Sequence, residues 1–276
     1  MLPPGMQRRL LSFLEDDIAV NDITTSLVPA KECGAIITVK EDAVLAGLDE
    51  VCFLFEQRAC KATKKAKDGE RVKANTIVLE IAGPNKNILE VERTALNLLG
   101  RMCGVATACA KASEAAKPAR VALTRKIMPG MNAFERKAAV LGGADTHRFG
   151  LSDMVLIKNN HLAFFGSIAE AIATAKEKTS FSKKIEIEVC TAEEATEAAG
   201  AKPDIIMLDN FEFTEAGKAI AEIKKINPAI LIECSGGITI DNLQDYAKLG
   251  ADIISMGSLT KSANSVDCSL SIRGEK

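Results

Sequence analysis

Tryptophan, tyrosine and histidine are almost missing from this chain. No tryptophan, one tyrosine and two histidines occur in 276 residues, and the eight cysteines form no CxxC pair. So few histidines, without paired cysteines, cannot assemble a zinc site of the usual spacing. The scarcity of tryptophan and tyrosine beside abundant small apolar residues favours helices packed on buried sheets.

An excess of charge of one sign and long apolar runs are also lacking. The chain has 35 basic and 37 acidic residues, so nothing in its charge attracts nucleic acid. No apolar run approaches the roughly 20 residues of a membrane span, and the N-terminal stretch has no signal-peptide core. The cysteines lie mostly within apolar or helical patterns, as reduced thiols of cytosolic proteins do. We therefore expect a cytoplasmic protein with neither a nucleic-acid nor a membrane partner.

An alternation of apolar runs and helical patterns begins near residue 105. The runs are RVALTRK (120–126), DMVLIKN (153–159), KKIEIEV (183–189), DIIMLDN (204–210), AILIECSGG (229–237) and DIISMGS (252–258). Apolar strands that alternate with helices predict a parallel sheet. An incomplete (β/α) barrel fits this pattern. An open doubly wound sheet stays an alternative, although its usual glycine-rich loop after the first strand is missing.

Residues 1–104 follow a different rhythm, which predicts an α+β domain that leads by a helix into the barrel. KATKKAKDGERVKANTIVLEIAG (61–83) reads as two short strands in a hairpin around Asp68 and Gly69. A long helical pattern covers residues 88–116, and Gly104 predicts a break within it.

Ionisable residues close the first five apolar runs. They are Arg125 with Lys126, Lys158, Glu188, Asp209 and Glu233. The carboxyl ends of barrel strands converge on one mouth, so we expect these side chains to share a site. The cations, with His147 and Arg148 nearby, suit a ligand that carries several carboxylates or phosphates. The carboxylates Glu188 and Asp209 suit Mg²⁺ or sugar hydroxyls, and the SGG and MGS strand ends suit a phosphate.

These segments resemble the quinolinate phosphoribosyltransferase family. The resemblance rests on VERTALNLLGRMCGVAT (91–107), LTRKIMPG (123–130), THRFGLSDMVLIKNNH (146–161), EIEV (186–189), IMLDN (206–210), ECSGG (233–237) and MGSLTKS (256–262). It implies an α/β fold in which an N-terminal α/β sandwich domain, placed at 1–104, precedes an incomplete barrel at 105–262 that carries the active site. Residues 263–276 would return to the N-terminal domain.

The resemblance also implies an activity. Members of the family use Mg²⁺ and phosphoribosyl pyrophosphate to convert quinolinate to nicotinate mononucleotide, releasing CO₂ and pyrophosphate in NAD biosynthesis. They form homodimers in which one subunit completes the site of the other, and a higher oligomer stays open.

Family roles carry over to fourteen positions of this chain. The quinolinate carboxylates would be held by Thr124, Arg125, His147, Arg148 and Lys158, with Arg93 donated by the partner subunit. Lys126 would face phosphoribosyl pyrophosphate, while Glu188 and Asp209 would lie near the ribose and the metal. The 5′-phosphate would rest on Ser235, Gly236, Gly237, Gly257 and Ser258. Lys126, Lys158, Glu188 and Asp209 are thus the expected catalytic residues, and His161 is expected to order its own loop.

Departures from the family pattern keep alternatives open. Leu123 and Ile127 flank the TRK segment where many members have polar residues, Asn159 replaces an acid, and Cys190 stands where an acid often follows. One alternative is a related phosphoribosyltransferase, either nicotinate-specific or like the molybdenum-operon ModD proteins, that acts on another aromatic carboxylate. A lyase with Lys158 as Schiff-base nucleophile and a non-catalytic sensor of phosphorylated ligands are the others.

Overall fold

The described residues, 1–273, form eleven helices and twelve strands in this computed structural model. The helices are α1 (Pro4–Ile18), α2 (Ile23–Leu27), α3 (Leu48–Gln57), α4 (Asn85–Ala115), α5 (Asn132–Leu141), α6 (Asn159–Leu162), α7 (Ile168–Lys178), α8 (Ala192–Ala201), α9 (Phe213–Ile226), α10 (Leu243–Lys248) and α11 (Ser258–Lys261). The strands are β1 (Glu32–Val39), β2 (Ala43–Val44), β3 (Lys61–Lys64), β4 (Arg71–Val72), β5 (Thr76–Pro84), β6 (Arg120–Ala122), β7 (Val155–Ile157), β8 (Ile185–Val189), β9 (Ile205–Asp209), β10 (Leu231–Ser235), β11 (Ile253–Ser255) and β12 (Cys268–Arg273).

Two compact units divide the chain. Unit 1 holds Met1–Ala110, Ile127–Gly143 and the chain from Thr260 onward, and unit 2 holds Lys111–Lys126 and Ala144–Leu259. Segment 127–143, which the predicted limits place in the barrel domain, groups with unit 1. The predicted domain limits stay a prediction, and residues 274–276 lie outside the described residues.

Unit 1 is built on an antiparallel sheet in the order β12-β1-β5-β3. The two strands predicted around Asp68 and Gly69 are confirmed as the antiparallel pair β3 and β5. Their connection is a longer loop than a tight hairpin turn, because it contains β4, which pairs with β2. The turn is used for other contacts instead. Asp68 Oδ1 accepts the N–H of Leu48 at the start of α3 at 3.0 Å, and the Gly69 N–H donates to Leu45 O at 2.7 Å.

The predicted break of the long helix at Gly104 is also wrong. Helix α4 continues through this residue from Asn85 to Ala115. A side chain at Gly104 would place its Cβ 2.0 Å from the carbonyl oxygen of Asn264. This glycine therefore allows a close approach of two backbones and does not end the helix.

Unit 2 is built on a parallel sheet of six strands in the order β6-β11-β10-β9-β8-β7. Each of its strands falls within one of the six apolar runs, and helices α7, α8 and α9 connect successive strands. The predicted fold class, an α/β protein with a parallel sheet after an N-terminal α/β domain, is confirmed. Ser167 and Thr191 are the N-cap residues of α7 and α8. Their side chains accept backbone N–H groups from the first turn of each helix. Among residues 1–273, no helix combines the length and apolar character that crossing a membrane requires.

Candidate active site

A cavity of about 410 Å³ lies at the carboxyl ends of the strands of unit 2. Nine of the predicted site residues line it: six on its cationic side, namely Thr124, Arg125, Lys126, His147, Arg148 and Lys158, and three more, Glu188, Asp209 and Ser235. A second cavity of about 600 Å³ shares Arg125, Arg148 and Lys158 and is also lined by His161 and Lys183. The parallel topology thus gathers side chains that are far apart in sequence, as expected at this edge of a sheet.

Two guanidinium groups face the same space. Arg125 follows β6, Arg148 lies in the segment before β7, and both line the two cavities. Burial and the positive charge of Arg125 lower the pKa of Arg148, and the charges of Glu186 and Glu188 oppose this effect. Two neighbouring cations repel each other, and an anion placed between them would relieve that repulsion.

Lys158 forms an ion pair with Glu188 across β7 and β8. Its backbone N–H donates to His161 Nδ1 at 2.9 Å, which closes the first turn of α6. The expectation that His161 orders its own loop is therefore confirmed. Next to this loop, the Asn159 amide lies 3.2 Å from the Cys190 thiol, so two of the departures from the family pattern contact each other.

His147 is held from both sides of its ring. Its Nδ1 accepts the backbone N–H of Arg148 at 2.8 Å, and its Nε2 lies 3.0 Å from Glu233 Oε2 and 3.4 Å from Glu186 Oε2. Both glutamates are fully buried. The predicted contact of His147 with a ligand carboxylate stays a prediction, because both ring nitrogens already have partners within the protein.

These buried groups influence one another's protonation. Burial lowers the pKa of His147, whereas hydrogen bonds and charges from Glu186 and Glu233 raise it and outweigh burial. Burial raises the pKa of Glu186, and the negative charge of Glu233 adds to the rise. The cluster therefore binds a proton more tightly than its members would in water. Since Nδ1 of His147 accepts a hydrogen bond, this additional proton belongs on Glu186.

Glu186 and Asn210 are site residues that the sequence analysis missed. Glu186 lies between two isoleucines of β8, a strand that is buried at every residue. A charged residue inside such an apolar run is the only sequence feature that could have identified it. Asn210 follows β9 with φ +57°, and its amide donates to Asp209 Oδ2 at 2.7 Å. Asparagine is one of the few residues that tolerates this left-handed backbone, which is the signal that could have identified it.

The predicted phosphate segment after β10 needs glycine. Gly236 and Gly237 have φ values of +84° and +64°. A Cβ at Gly236 would lie 2.3 Å from Asn210 Oδ1, whereas one at Gly237 would meet nothing within 4 Å. A Cβ at Gly257 would lie 3.1 Å from Cδ of Lys126, so this glycine leaves room for the lysine stem. Gly257 is followed by Ser258, the first residue of α11.

Glu188 and Asp209 fit a divalent cation. They lie on neighbouring strands and line the same cavity. Each uses one oxygen within the protein: Glu188 Oε2 pairs with Lys158, and Asp209 Oδ2 accepts from Asn210. Within residues 1–273, no hydrogen bond reaches Glu188 Oε1 or Asp209 Oδ1. Two carboxylate oxygens beside a cavity are the kind of donors that Mg²⁺ takes when substrate phosphates supply the others.

Arg93 is the one predicted site residue in unit 1. It lies on α4 and is exposed in the single chain. Its predicted role concerns the site of a partner subunit.

A parallel sheet that presents cations and an acidic pair at one cavity, with glycine turns after β10 and β11, is the arrangement expected of an α/β phosphoribosyltransferase. Family models for the N-terminal and C-terminal domains of quinolinate phosphoribosyl transferase match residues 22–103 and 105–271. The chain belongs to this family, and the predicted resemblance is confirmed.

Relatives and solved structures agree with this membership. The chain is 46% identical over 282 residues, 99% of each protein, to a Methanocaldococcus jannaschii protein named probable nicotinate-nucleotide pyrophosphorylase (carboxylating). It is 35% identical to the human nicotinate-nucleotide pyrophosphorylase (carboxylating), covering 99% of this chain and 93% of the relative. The solved nicotinate-nucleotide pyrophosphorylase of Francisella tularensis superposes with a TM-score of 0.92 at 33% identity, covering 99% of this chain and 98% of that one.

Proposed function

We propose that this protein transfers the phosphoribosyl group of phosphoribosyl pyrophosphate to quinolinate and decarboxylates the product. The products are nicotinate mononucleotide, CO₂ and pyrophosphate, and the reaction serves NAD biosynthesis. The observation that carries the proposal is the cavity in which Arg125, Arg148 and Lys158 face the same space as Glu188 and Asp209. A dicarboxylate would bind the cationic side of this cavity, and a ribosyl group would bind its acidic side.

Quinolinate is the aromatic substrate in this proposal. Its two carboxylates pair with Arg125, Arg148 and Lys158, with Thr124 and His147 close by. These cations orient the pyridine nitrogen toward the anomeric carbon of the sugar. A cation wall of this size exceeds what a monocarboxylate such as nicotinate requires, which favours quinolinate over the related enzymes.

Phosphoribosyl pyrophosphate occupies the other side of the cavity. Lys126 faces its pyrophosphate, and the 5′-phosphate rests on the segments of Ser235, Gly236 and Gly237 and of Gly257 and Ser258. Glu188 and Asp209 would hold Mg²⁺. When bound, this ion supplies positive charge that stabilises the leaving pyrophosphate.

The protein acts mainly by positioning and by charge. The bond between the anomeric carbon and pyrophosphate breaks as the pyridine nitrogen forms its own bond to that carbon. The carboxylates of Glu188 and Asp209 stabilise the positive charge that develops on the sugar. When the adjacent carboxylate leaves as CO₂, the electron pair of the broken bond stays on the ring carbon, where the positive charge of the neighbouring pyridinium nitrogen stabilises it. A proton then bonds to this pair.

A homodimer completes this proposal. Arg93, exposed on α4, would reach the quinolinate site of the partner subunit, and a higher oligomer stays open. We therefore expect Arg93→Ala and Arg148→Ala each to be inactive as purified proteins. Random mixing of the two should restore about one quarter of the wild-type activity, since half of the dimers then contain one intact site. No recovery after mixing, with dimers present, would contradict the shared site. A cytoplasmic location stays a prediction.

A direct assay tests the reaction. The protein is incubated with quinolinate, phosphoribosyl pyrophosphate and Mg²⁺, and CO₂ and nicotinate mononucleotide are measured. Omission of Mg²⁺ should abolish turnover. Product from nicotinate but not from quinolinate would favour the nicotinate-specific alternative, and borohydride trapping of a carbonyl substrate on Lys158 would favour the lyase.

A further inference from the structure

Two buried carboxylates beside the His147 ring have no role in the proposed chemistry. Glu186 on β8 and Glu233 on β10 are each 0% exposed. Three of their four oxygens, both of Glu186 and Oε1 of Glu233, are buried without a hydrogen-bond partner among residues 1–273. Burying a carboxylate is strongly unfavourable unless its charge is compensated, so this buried pair calls for a function.

The neighbouring imidazole decides what this cluster can bind. The ligand atoms of His147, Glu186 and Glu233 lie within 4.8 Å of one another, a spacing that would admit a metal ion. A metal on Nε2 needs the lone pair of that nitrogen and leaves the ring proton on Nδ1. Nδ1, however, accepts the N–H of Arg148 at 2.8 Å and cannot carry a proton. Nε2 therefore carries the proton and donates to Glu233, which excludes metal binding through this ring.

The same contacts determine the direction of the chain at Arg148. His147 has φ +52°, a left-handed backbone that is strained for a non-glycine residue. The Asp145 carboxylate accepts the backbone N–H of His147 at 2.7 Å, and Glu233 Oε2 bonds to ring Nε2 at 3.0 Å. Glu186 Oε2 lies 3.4 Å from the same nitrogen. The ring in turn holds the amide of Arg148. A chain of hydrogen bonds thus runs from the interior of the sheet to the residue that carries the guanidinium group.

Arg148 needs such support because its position is electrostatically unfavourable. It shares the 410 Å³ cavity with Arg125, and both its burial and this second cation oppose its charge. Without a firm anchor, the flexible side chain would turn toward solvent until an anion arrived.

We propose that Glu186 and Glu233 are positioning residues that hold Arg148 ready for an anionic ligand, acting through the imidazole of His147. The ligand meant here is the dicarboxylate of the proposed function, and in that respect the inference rests on it. The connection from the glutamates through His147 to Arg148 is independent of the ligand's identity.

A nitrogen NMR spectrum of the protein labelled with ¹⁵N-histidine tests that connection without any ligand. The chain has two histidines, and a His161→Gln variant identifies the signals of His147. At neutral pH we expect Nε2 to carry the proton and Nδ1 to carry none. A proton on Nδ1 in the wild-type protein would overturn the proposal, whatever the variants do.

Substitution of Glu233 tests the effect on binding. Glu233→Leu removes the acceptor of Nε2, and Glu233→Gln keeps one. We expect Glu233→Leu to weaken quinolinate binding by about tenfold or more in calorimetric titration, with faster hydrogen exchange of the Arg148 amide. Glu233→Gln should restore affinity to within about threefold, and the KM for phosphoribosyl pyrophosphate should change less than about twofold in either variant. Glu186→Leu and Glu186→Gln should repeat this pattern more weakly, since Glu186 lies farther from Nε2.

A buried glutamate elsewhere supplies the control. Glu135 is as buried as Glu233 but pairs with Arg101. Glu135→Gln should lower the melting temperature without a selective loss of quinolinate affinity. Equal losses for both substrates in Glu233→Leu, or no rescue by Glu233→Gln, would reduce Glu233 to a structural residue. Wild-type protein that binds quinolinate without turning it over would defeat the proposed function and leave this inference standing.

Discussion

Buried charged side chains have different partners in the two units. In unit 1, Lys137 lies 2.9 Å from Glu50 and from Asp68, and Arg101 lies 2.7 Å from Glu135. Arg101 also donates to the carbonyl oxygens of Thr260 and Ala263. In unit 2, two buried carboxylates share one imidazole, and two guanidinium groups face one cavity. The charged pairs of unit 1 support folding, whereas the two guanidinium groups of unit 2 are left for an anionic ligand to balance.

The largest expected effect is on activity in unit 2. Arg148→Ala should lower kcat/KM for quinolinate by about 100-fold or more, because a charge-assisted hydrogen bond to a carboxylate is lost. The melting temperature should stay the same or rise, since a repelled cation is removed. Arg120→Ala is the matched control: Arg120 is exposed and lies at the amino end of β6. Full turnover by Arg148→Ala would remove the role assigned to this arginine.

The corresponding change in unit 1 should act on stability alone. Lys137→Met leaves Glu50, which is 0% exposed, without its cation. The free energy of unfolding should fall by about 3 kcal/mol, measured by urea denaturation, because an uncompensated carboxylate stays buried. Lys218→Met, at an exposed lysine of α9, should cost less than about 0.5 kcal/mol. Should Lys137→Met instead reduce kcat/KM of the folded protein, the contrast between the units would fail.

Substitution of two adjacent glycines, Gly236 and Gly237, distinguishes the effect of backbone strain from that of a steric clash. Gly236→Ala should cost about 2–3 kcal/mol and most of the activity, because the new Cβ meets Asn210 in addition to the strain of a positive φ. Gly237→Ala meets no neighbour and should cost only about 1 kcal/mol. Thermal unfolding and the KM for phosphoribosyl pyrophosphate measure the two effects. Equal losses in both variants would mean that Asn210 moves aside freely.

Features that depend on residues close together in the sequence could be predicted, and features that depend on contacts between distant residues could not. The six parallel strands were predictable because strands buried on both faces read as apolar runs, and the cation cluster because charges close those runs. The path of the loop between β3 and β5 was not, because its strand β4 pairs with β2, which lies before α3 in the chain. The reason for a glycine inside the unbroken α4 was also not predictable. It is the carbonyl oxygen of Asn264, which lies close to Gly104 although it is 160 residues further along the chain.

The role of Glu186 was hidden for a related reason. A glutamate between isoleucines on a strand predicts an exposed face, yet every residue of β8 is buried. Only the fold brings it to His147, and it does so from β8, while Glu233 reaches the same ring from β10. Positions of this kind are recognised when both faces of a strand are known to be covered.

The smallest expected effect concerns the buried thiols, four of which lie in unit 1. Burial raises the pKa of Cys109 from 9.0 to about 12. The unfolded chain therefore loses the thiol proton first, so stability is complete below pH 9 and falls as the pH rises toward 12. Between pH 8 and pH 10, each such thiol should lower the free energy of unfolding by about 1 kcal/mol. Cys109→Ala should reduce that decline by this amount. Urea denaturation at each pH measures this decline. An identical decline in wild type and Cys109→Ala would show that the Cys109 thiol ionises as easily in the folded protein as in water.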